Sequence, residues 1–265
     1  MKDNGSIEQI RKYPSPNPTI RLDEIVYWSD GLRVKGLLAR PLREGDYEAL
    51  LYLRGGLQTI GMVRPARIAQ FAAQGFVVFA PYYRGNRGGE GKDEFAGADR
   101  YDAVSAVDVL KQFIHVDKVH VYGFSRGGLM ALWTAIIRPD IASVVTWAGV
   151  SNAVSTYWQR VDMRRGLKRI IGGTPNKVLE RYEYRTPLFQ VSAIDAPVLI
   201  IHGTSDQHVQ IEHAYELEKY LSNEGKLFET WYANELPHHF PPQMNRQTVR
   251  KLCEWMKQHS EHIKA

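Results

Sequence analysis

Short apolar runs and helical periodicities take turns along the chain. After a lead spaced by Pro14, Pro16 and Pro18, the stretches EIVYWS and LRVKGLLA flank Asp30-Gly31, a pairing that predicts a β-hairpin closed by a tight turn. These two are expected to be edge strands. The runs ALLYL, FVVFA, KVHVYGF, ASVVTWA, APVLIIHG and KLFETWYA follow, and periods near 3.6 between them predict helices over 63–74, 99–113, 126–137, 211–223 and 243–259. Repeated strand-then-helix units imply an α/β class with a mostly parallel, eight-stranded sheet carrying helices on both faces. Functional residues of such sheets gather beyond the carboxyl ends of the strands.

One segment breaks the alternation. Residues 151–193 contain Trp158, arginine-rich turns, Gly172-Gly173, Tyr182 and Tyr184 but no clear strand. That is too long for a plain connection, so a small helical cap insertion within a single domain spanning 1–265 is expected, after an N-terminal lead over 1–22.

Composition narrows the classes. With 44% hydrophobic and 24% charged residues, 265 positions can bury one sizeable core. The longest apolar stretches, such as 141–150, fall short of the roughly 18 residues a membrane span needs, and the N-terminus lacks an apolar signal core. A cytoplasmic protein without membrane contact is expected. Cys253, the single cysteine, excludes an internal disulfide and thiolate-rich metal sites, and packing is its expected role. The net charge of +5 raises the question of an acidic partner. The basic residues are dispersed except around Arg160, Arg164, Arg165, Lys168 and Arg169, whose spacing reads as a solvated helix face, and no nucleic-acid motif accompanies them.

The chemistry begins at GFSRGG. Ser125 follows an apolar strand and precedes a helix whose first turn holds Gly127 and Gly128, the setting of a strained nucleophile elbow. The plain alternative is a serine that merely caps its helix. A serine hydroxyl needs a base to take its proton and a third group to orient that base. LIIHGTSDQHV puts Asp206 in the loop after a strongly apolar strand, where it is either the orienting acid or an ordinary turn residue. WYANELPHHF puts His238 and His239 after the last strand, one the base and the other its neighbour. His202 reads as packing at a strand end, and His208 as lining the pocket or facing solvent. Acyl transfer also needs rigid donors for a developing oxyanion. The Arg126 amide at its helix N-terminus is one candidate. The Gly56 amide in YLRGG is the second, unless that stretch is a simple tight turn. No metal or organic cofactor is called for: Gly88, Gly89 and Gly91 do not spell a phosphate fingerprint, and the nine histidines lack ligand spacing.

Taken in order, YLRGG, APYYRGNRGGEG, GFSRGG, IIHGTSDQHV and LPHHF resemble the oxyanion loop, Asn-Tyr-Arg-Gly-Ser loop, serine elbow, acid loop and histidine loop of the prolyl oligopeptidase (S9) family catalytic domain. The resemblance spans roughly 23–259 and implies an α/β-hydrolase fold and a Ser125, Asp206, His238 triad. It puts His238 in the catalytic place and His239 where the family has glycine. Arg54 stands where an aromatic residue or histidine often precedes Gly-Gly, so it is either a charged substrate contact or a structural ion-pair partner; Tyr83 and His239 are further candidate substrate contacts. Only some 20 residues precede the first hairpin, so the family's size-filtering propeller is not expected, and size exclusion would come from the cap, from homo-oligomerisation, or not at all. The expected activity is that of a serine-type peptidase or aminoacyl amidase acting through an acyl-enzyme on a small peptide. The alternatives are a carboxylesterase acting on small acyl esters and a non-catalytic binding protein on a hydrolase fold.

Overall fold

Each central strand carries apolar side chains on successive positions, and the pleat sends them to opposite faces of the sheet. In β4 (Glu48–Leu53) Ala49, Leu51 and Leu53 join one buried cluster, while Leu50 and Tyr52 join the other. The same split recurs in β6 (Val119–Phe124), β7 (Ile141–Trp147) and β8 (Val198–Gly203). Strands apolar on both sides must be covered on both sides, and helices do this. α2 (Arg100–Lys111), α3 (Gly127–Ile137) and α7 (Glu212–Asn223) cover the first face; α1 (Pro65–Ala72) and α8 (Pro242–Glu261) cover the second. This is a computed structural model, and it describes residues 2–114 and 118–261.

The sheet has nine strands in the order β1-β2-β3-β5-β4-β6-β7-β8-β9, with β5 at Phe76–Pro81 and β9 at Phe228–Ala233. From β5 onward every pairing is parallel; β1, β2 (Ile20–Ser29) and β3 (Leu32–Pro41) are joined antiparallel. The predicted hairpin is present, with Asp30 and Gly31 both left-handed at φ 49° and 74°. Two expectations need correction. The sheet has nine strands rather than eight, and the hairpin is not its edge, because β1 (Ile7–Tyr13) from the lead pairs outside β2. IEQIRKY is mostly exposed, so it lacks the apolar alternation that marks a half-buried strand.

The connection from β7 to β8 is helical: α4 (Ala153–Gln159), a 3₁₀ turn at Val161–Met163, α5 (Arg164–Ile171), α6 (Leu179–Glu183) and a 3₁₀ stretch at Pro187–Ala193. Among the described residues no helix is long and apolar enough to cross a membrane.

A charged staple fixes the loop after β5. Arg84, 5% exposed, donates Nε and Nη2 to the carboxylate of Asp102 on α2, at 3.0 and 2.7 Å to Oδ1. The Arg84 backbone N–H adds a bond of 2.7 Å to Oδ2, and Ser29 Oγ donates to Oδ1 at 2.8 Å. Removing Asp102 leaves the buried Arg84 guanidinium with only the more exposed Asp30 carboxylate, 3.0 Å away, as a counter-charge. Asp102→Ala is therefore expected to lower unfolding free energy by about 3–5 kcal/mol in urea titration, far more than an exposed carboxylate would.

Candidate active site

The site starts with a backbone torsion. Ser125 lies at φ 57°, a left-handed conformation costly for a residue with a side chain. Neighbouring backbone holds it there: Ser125 N–H donates to Trp147 O at 3.1 Å, and Ser125 O accepts from Gly128 and Val150 N–H, each at 2.9 Å. Glycines let the strand, turn and helix come this close. A Cβ on Gly123 would stand 2.2 Å from Gly127 O, and one on Gly127 would stand 2.1 Å from Leu53 O. The turn thus lifts the Ser125 side chain at the carboxyl end of β6, where it is partly exposed to a cavity of about 1410 Å³.

Two other strand ends supply the next groups. The loop after β8 carries Asp206, whose Oδ1 accepts the His208 and Val209 backbone N–H groups at 2.8 and 2.9 Å. Its Oδ2 meets His238 Nδ1 at 2.7 Å. Burial works to raise the Asp206 carboxyl, but the His238 bond and charge together with the two N–H bonds outweigh it, so it lies below the usual carboxylate range. With Nδ1 turned to Asp206, the other ring nitrogen of His238 is left for the cavity side. His238 and Ser125 line the same cavity, and the His238 ring packs on Phe124, next to Ser125, at 4.9 Å between centroids. Among the described residues Ser125 Oγ makes no hydrogen bond, so the Asp206–His238 half of the array is closed and the serine half open.

The neighbouring histidines sort by burial. His202 is fully buried, pairs with Val209 O at 2.8 Å and is pushed down in pKa by burial, a neutral packing residue at the strand end as expected. His208 is exposed, its ring 5.1 Å from that of His238. His239 is exposed in the cavity wall and stacks on Phe124 at 5.3 Å. Partial burial of its ring, followed by the neighbouring His238, Arg64 and His208, pushes its pKa down.

The loop after β4 curls beside Ser125. Gly55 packs so closely that a Cβ there would lie 2.7 Å from Ser125 Cβ, and Gly56 takes φ 72°. Neither the Gly56 nor the Arg126 N–H meets an acceptor among the described residues. Arg54 and Tyr83 are corrected as candidate substrate contacts. Arg54 is 1% exposed and its guanidinium holds the carbonyls of Gly55, Gln58, Ile60 and Tyr82 while pairing with Asp93 at 3.5 Å. Tyr83 is fully buried beneath that guanidinium, its hydroxyl on Arg54 O. Both form the back of the loop.

Sequence reasoning missed what the Arg126 side chain does. Only 2% exposed, it pairs with Asp93 at 2.8 Å and with Asp99, and its Nη1 donates to Gly56 O at 3.0 Å. Asp93 in turn accepts the Gln58 N–H at 3.1 Å. Burial opposes ionisation of Asp93, but the Arg126 charge and hydrogen bond prevail and hold it below the usual range. No local pattern in the sequence flags a charge cluster that exists only once three loops meet.

An open, mostly parallel sheet with a left-handed serine elbow and a buried acid–histidine pair beyond its strand ends defines an α/β-hydrolase, and the chain is a serine hydrolase. The sequence profile of the prolyl oligopeptidase family matches residues 62–262, and the chain belongs to that family. It is 56% identical over 254 residues to the uncharacterized peptidase YtmA of Bacillus subtilis (strain 168), covering 95% of this chain and 99% of that one. Among solved structures, an acylaminoacyl peptidase of Pyrococcus horikoshii superposes with TM-score 0.77 at 17% identity, over 91% of this chain and 42% of that one. An acetyl xylan esterase from Paenibacillus sp. R4 gives TM-score 0.76 at 16% identity, over 93% and 87%. The chain thus spans nearly all of the Bacillus relative and under half of the peptidase structure.

The elbow's glycines carry a stability prediction. Gly123→Ala should lower the unfolding free energy by about 1–3 kcal/mol in denaturant titration, because the added methyl has backbone rather than a flexible side chain in its way. Gly166→Ala, with nothing within 4 Å of the new methyl, should not lower it.

Proposed function

We propose that this protein is a serine peptidase or aminoacyl amidase that works through an acyl-enzyme on Ser125. The observation that carries the reading is the 2.7 Å bond between His238 Nδ1 and Asp206, made on the wall that also presents Ser125. Asp206 fixes the tautomer with the proton on Nδ1, leaving Nε2 basic. With substrate bound and water displaced, the Ser125–His238 hydrogen bond closes, since such contacts commonly tighten only in the complex. Ser125 Oγ attacks the carbonyl carbon and its proton passes to His238 Nε2. The C–N bond breaks as His238 returns that proton to the leaving amine. Water then repeats the sequence on the ester, releasing the acid and restoring the serine.

The developing oxyanion is received by the Arg126 and Gly56 N–H groups. Arg126 serves this twice, because its own amide is one donor and its guanidinium grips the carbonyl of Gly56. The two donors are thereby fixed relative to each other through one side chain, which is the preorganisation that makes such a site effective. The buried, unpaired thiol of Cys253 goes with a cytoplasmic setting.

Purified protein is expected to be labelled by a fluorophosphonate probe and to cleave aminoacyl-anilides, and Ser125→Ala to abolish both while leaving the circular dichroism spectrum unchanged. Turnover of short nitrophenyl esters with no cleavage of any anilide or peptide would replace the peptidase reading with a carboxylesterase. Arg126→Lys keeps the charge but cannot serve both carboxylates and the Gly56 carbonyl. It should lower kcat about 10- to 100-fold with a much smaller change in KM.

A further inference from the structure

The cavity wall is unevenly charged. Its charged lining, histidines aside, is five arginines and one carboxylate: Arg64, Arg67, Arg126, Arg160, Arg246 and Asp162. Arg126 is neutralised from behind by Asp93 and Asp99, and Arg160 by Asp162 at 2.7 Å. Arg64, Arg67 and Arg246 have no carboxylate partner among the described residues.

These three lie together. Arg64 and Arg67 stand at the start of α1, three residues apart and so on one face of its first turn. Arg67 Nη1 donates to Asn245 Oδ1 at 2.7 Å, which ties it to the first turn of α8 beside Arg246. Arg67 is the informative member. Its guanidinium is half-buried over Phe71 and Trp147, at 5.0 and 5.5 Å from the ring centroids, and bonds Gln70 Oε1, Asn245 Oδ1 and the Tyr122 hydroxyl. Every one of these partners is neutral. The cation is held in place and partly desolvated with no counter-charge, which is the condition in which an arginine gains most from an arriving anion. The N-termini of α1 and α8 both face the cavity and add positive potential. The cluster also adjoins the reacting groups, since the Arg64 charge is felt at His239, whose ring stands 5.0 Å from that of His238.

We infer that Arg64, Arg67 and Arg246 form an anion subsite that selects acyl substrates bearing a carboxylate near the scissile bond. The inference rests on the peptidase reading and narrows its substrate class. Two sources of that carboxylate fit the chemistry, the free C-terminus of a short peptide and an acidic side chain.

The test measures binding to Ser125→Ala protein by titration calorimetry at low salt, with three probes: acetyl-Ala-Ala-Phe-Ala as the free acid, the same peptide as its carboxamide, and acetyl-Ala-Ala-Phe-Glu as the carboxamide. An anionic probe should bind about tenfold tighter than the neutral one. The preference should shrink with added sodium chloride and fall in the Arg64→Gln, Arg246→Gln double variant, which keeps Arg67 in place, both substituted positions being exposed and without bonds that the fold needs. Preference for the first probe assigns the C-terminal carboxylate; preference confined to the third assigns an acidic side chain. Equal or undetectable binding of acidic and neutral probes, or a preference untouched by the double variant, would overturn the subsite. Fluorophosphonate labelling of native protein is read in parallel. Retained labelling without a charge preference sinks this inference alone, whereas lost labelling sinks the hydrolase reading while the binding comparison still judges the subsite.

Discussion

The site depends on one backbone conformation. Ser125 is held at positive φ where β6 turns into α3, and the chain must be bent there for the hydroxyl to stand clear of both elements. A strained residue of this kind costs on the order of 1–3 kcal/mol and persists only where its surroundings over-determine it. Here they do: its N–H and carbonyl are bonded to three neighbouring backbone groups, and glycines on both sides let strand and helix approach to distances no side chain would allow. Gln58, Tyr83, Arg87, Phe95, Ala96, Ala148, Glu235 and, at the hairpin, Asp30 are also left-handed, so this strain lies in loops and turns rather than in the strands. The two-sided apolar core beneath is what can sustain it.

Buried charge is the second constraint. Water-excluded loops cannot leave carboxylates and guanidinium groups unpaired, and each buried ion near the elbow has a partner of opposite sign or a set of carbonyls: Arg84 with Asp102, Arg126 with Asp93 and Asp99, and Arg54 with Asp93 and four backbone oxygens. These pairs turn three flexible loops into one rigid wall. Arg67, seated among neutral partners at the cavity itself, is a charge whose counter-ion comes from outside.

Much of this was legible in the chain. Strands apolar on successive positions and helices of regular period place the central sheet, and Gly123, Ser125 and Gly127 between a strand and a helix place the elbow. The N-terminal strand was not legible, because IEQIRKY turns most of its side chains to solvent and its register comes from β2. The residues alone left His238 and His239 open; the structure puts His238 on Asp206 and His239 in the cavity wall, a distinction made by loop geometry after β9. The sequence leaves Arg54 as either a charged substrate contact or a structural ion-pair partner, and burial decides for the second. The Asp93, Arg126 and Asp99 cluster left no local trace, since its members come from separate loops and each is ordinary in its own neighbourhood.

The most direct measurement is a crystal structure of the protein after reaction with a phosphonate inhibitor. The account predicts phosphorus bonded to Ser125 Oγ with Ser125 still left-handed, His238 still on Asp206, and one phosphoryl oxygen within about 2.7–3.1 Å of both the Arg126 and Gly56 nitrogens. Phosphorus on another side chain, or a phosphoryl oxygen turned to solvent and out of reach of both amides, would contradict it.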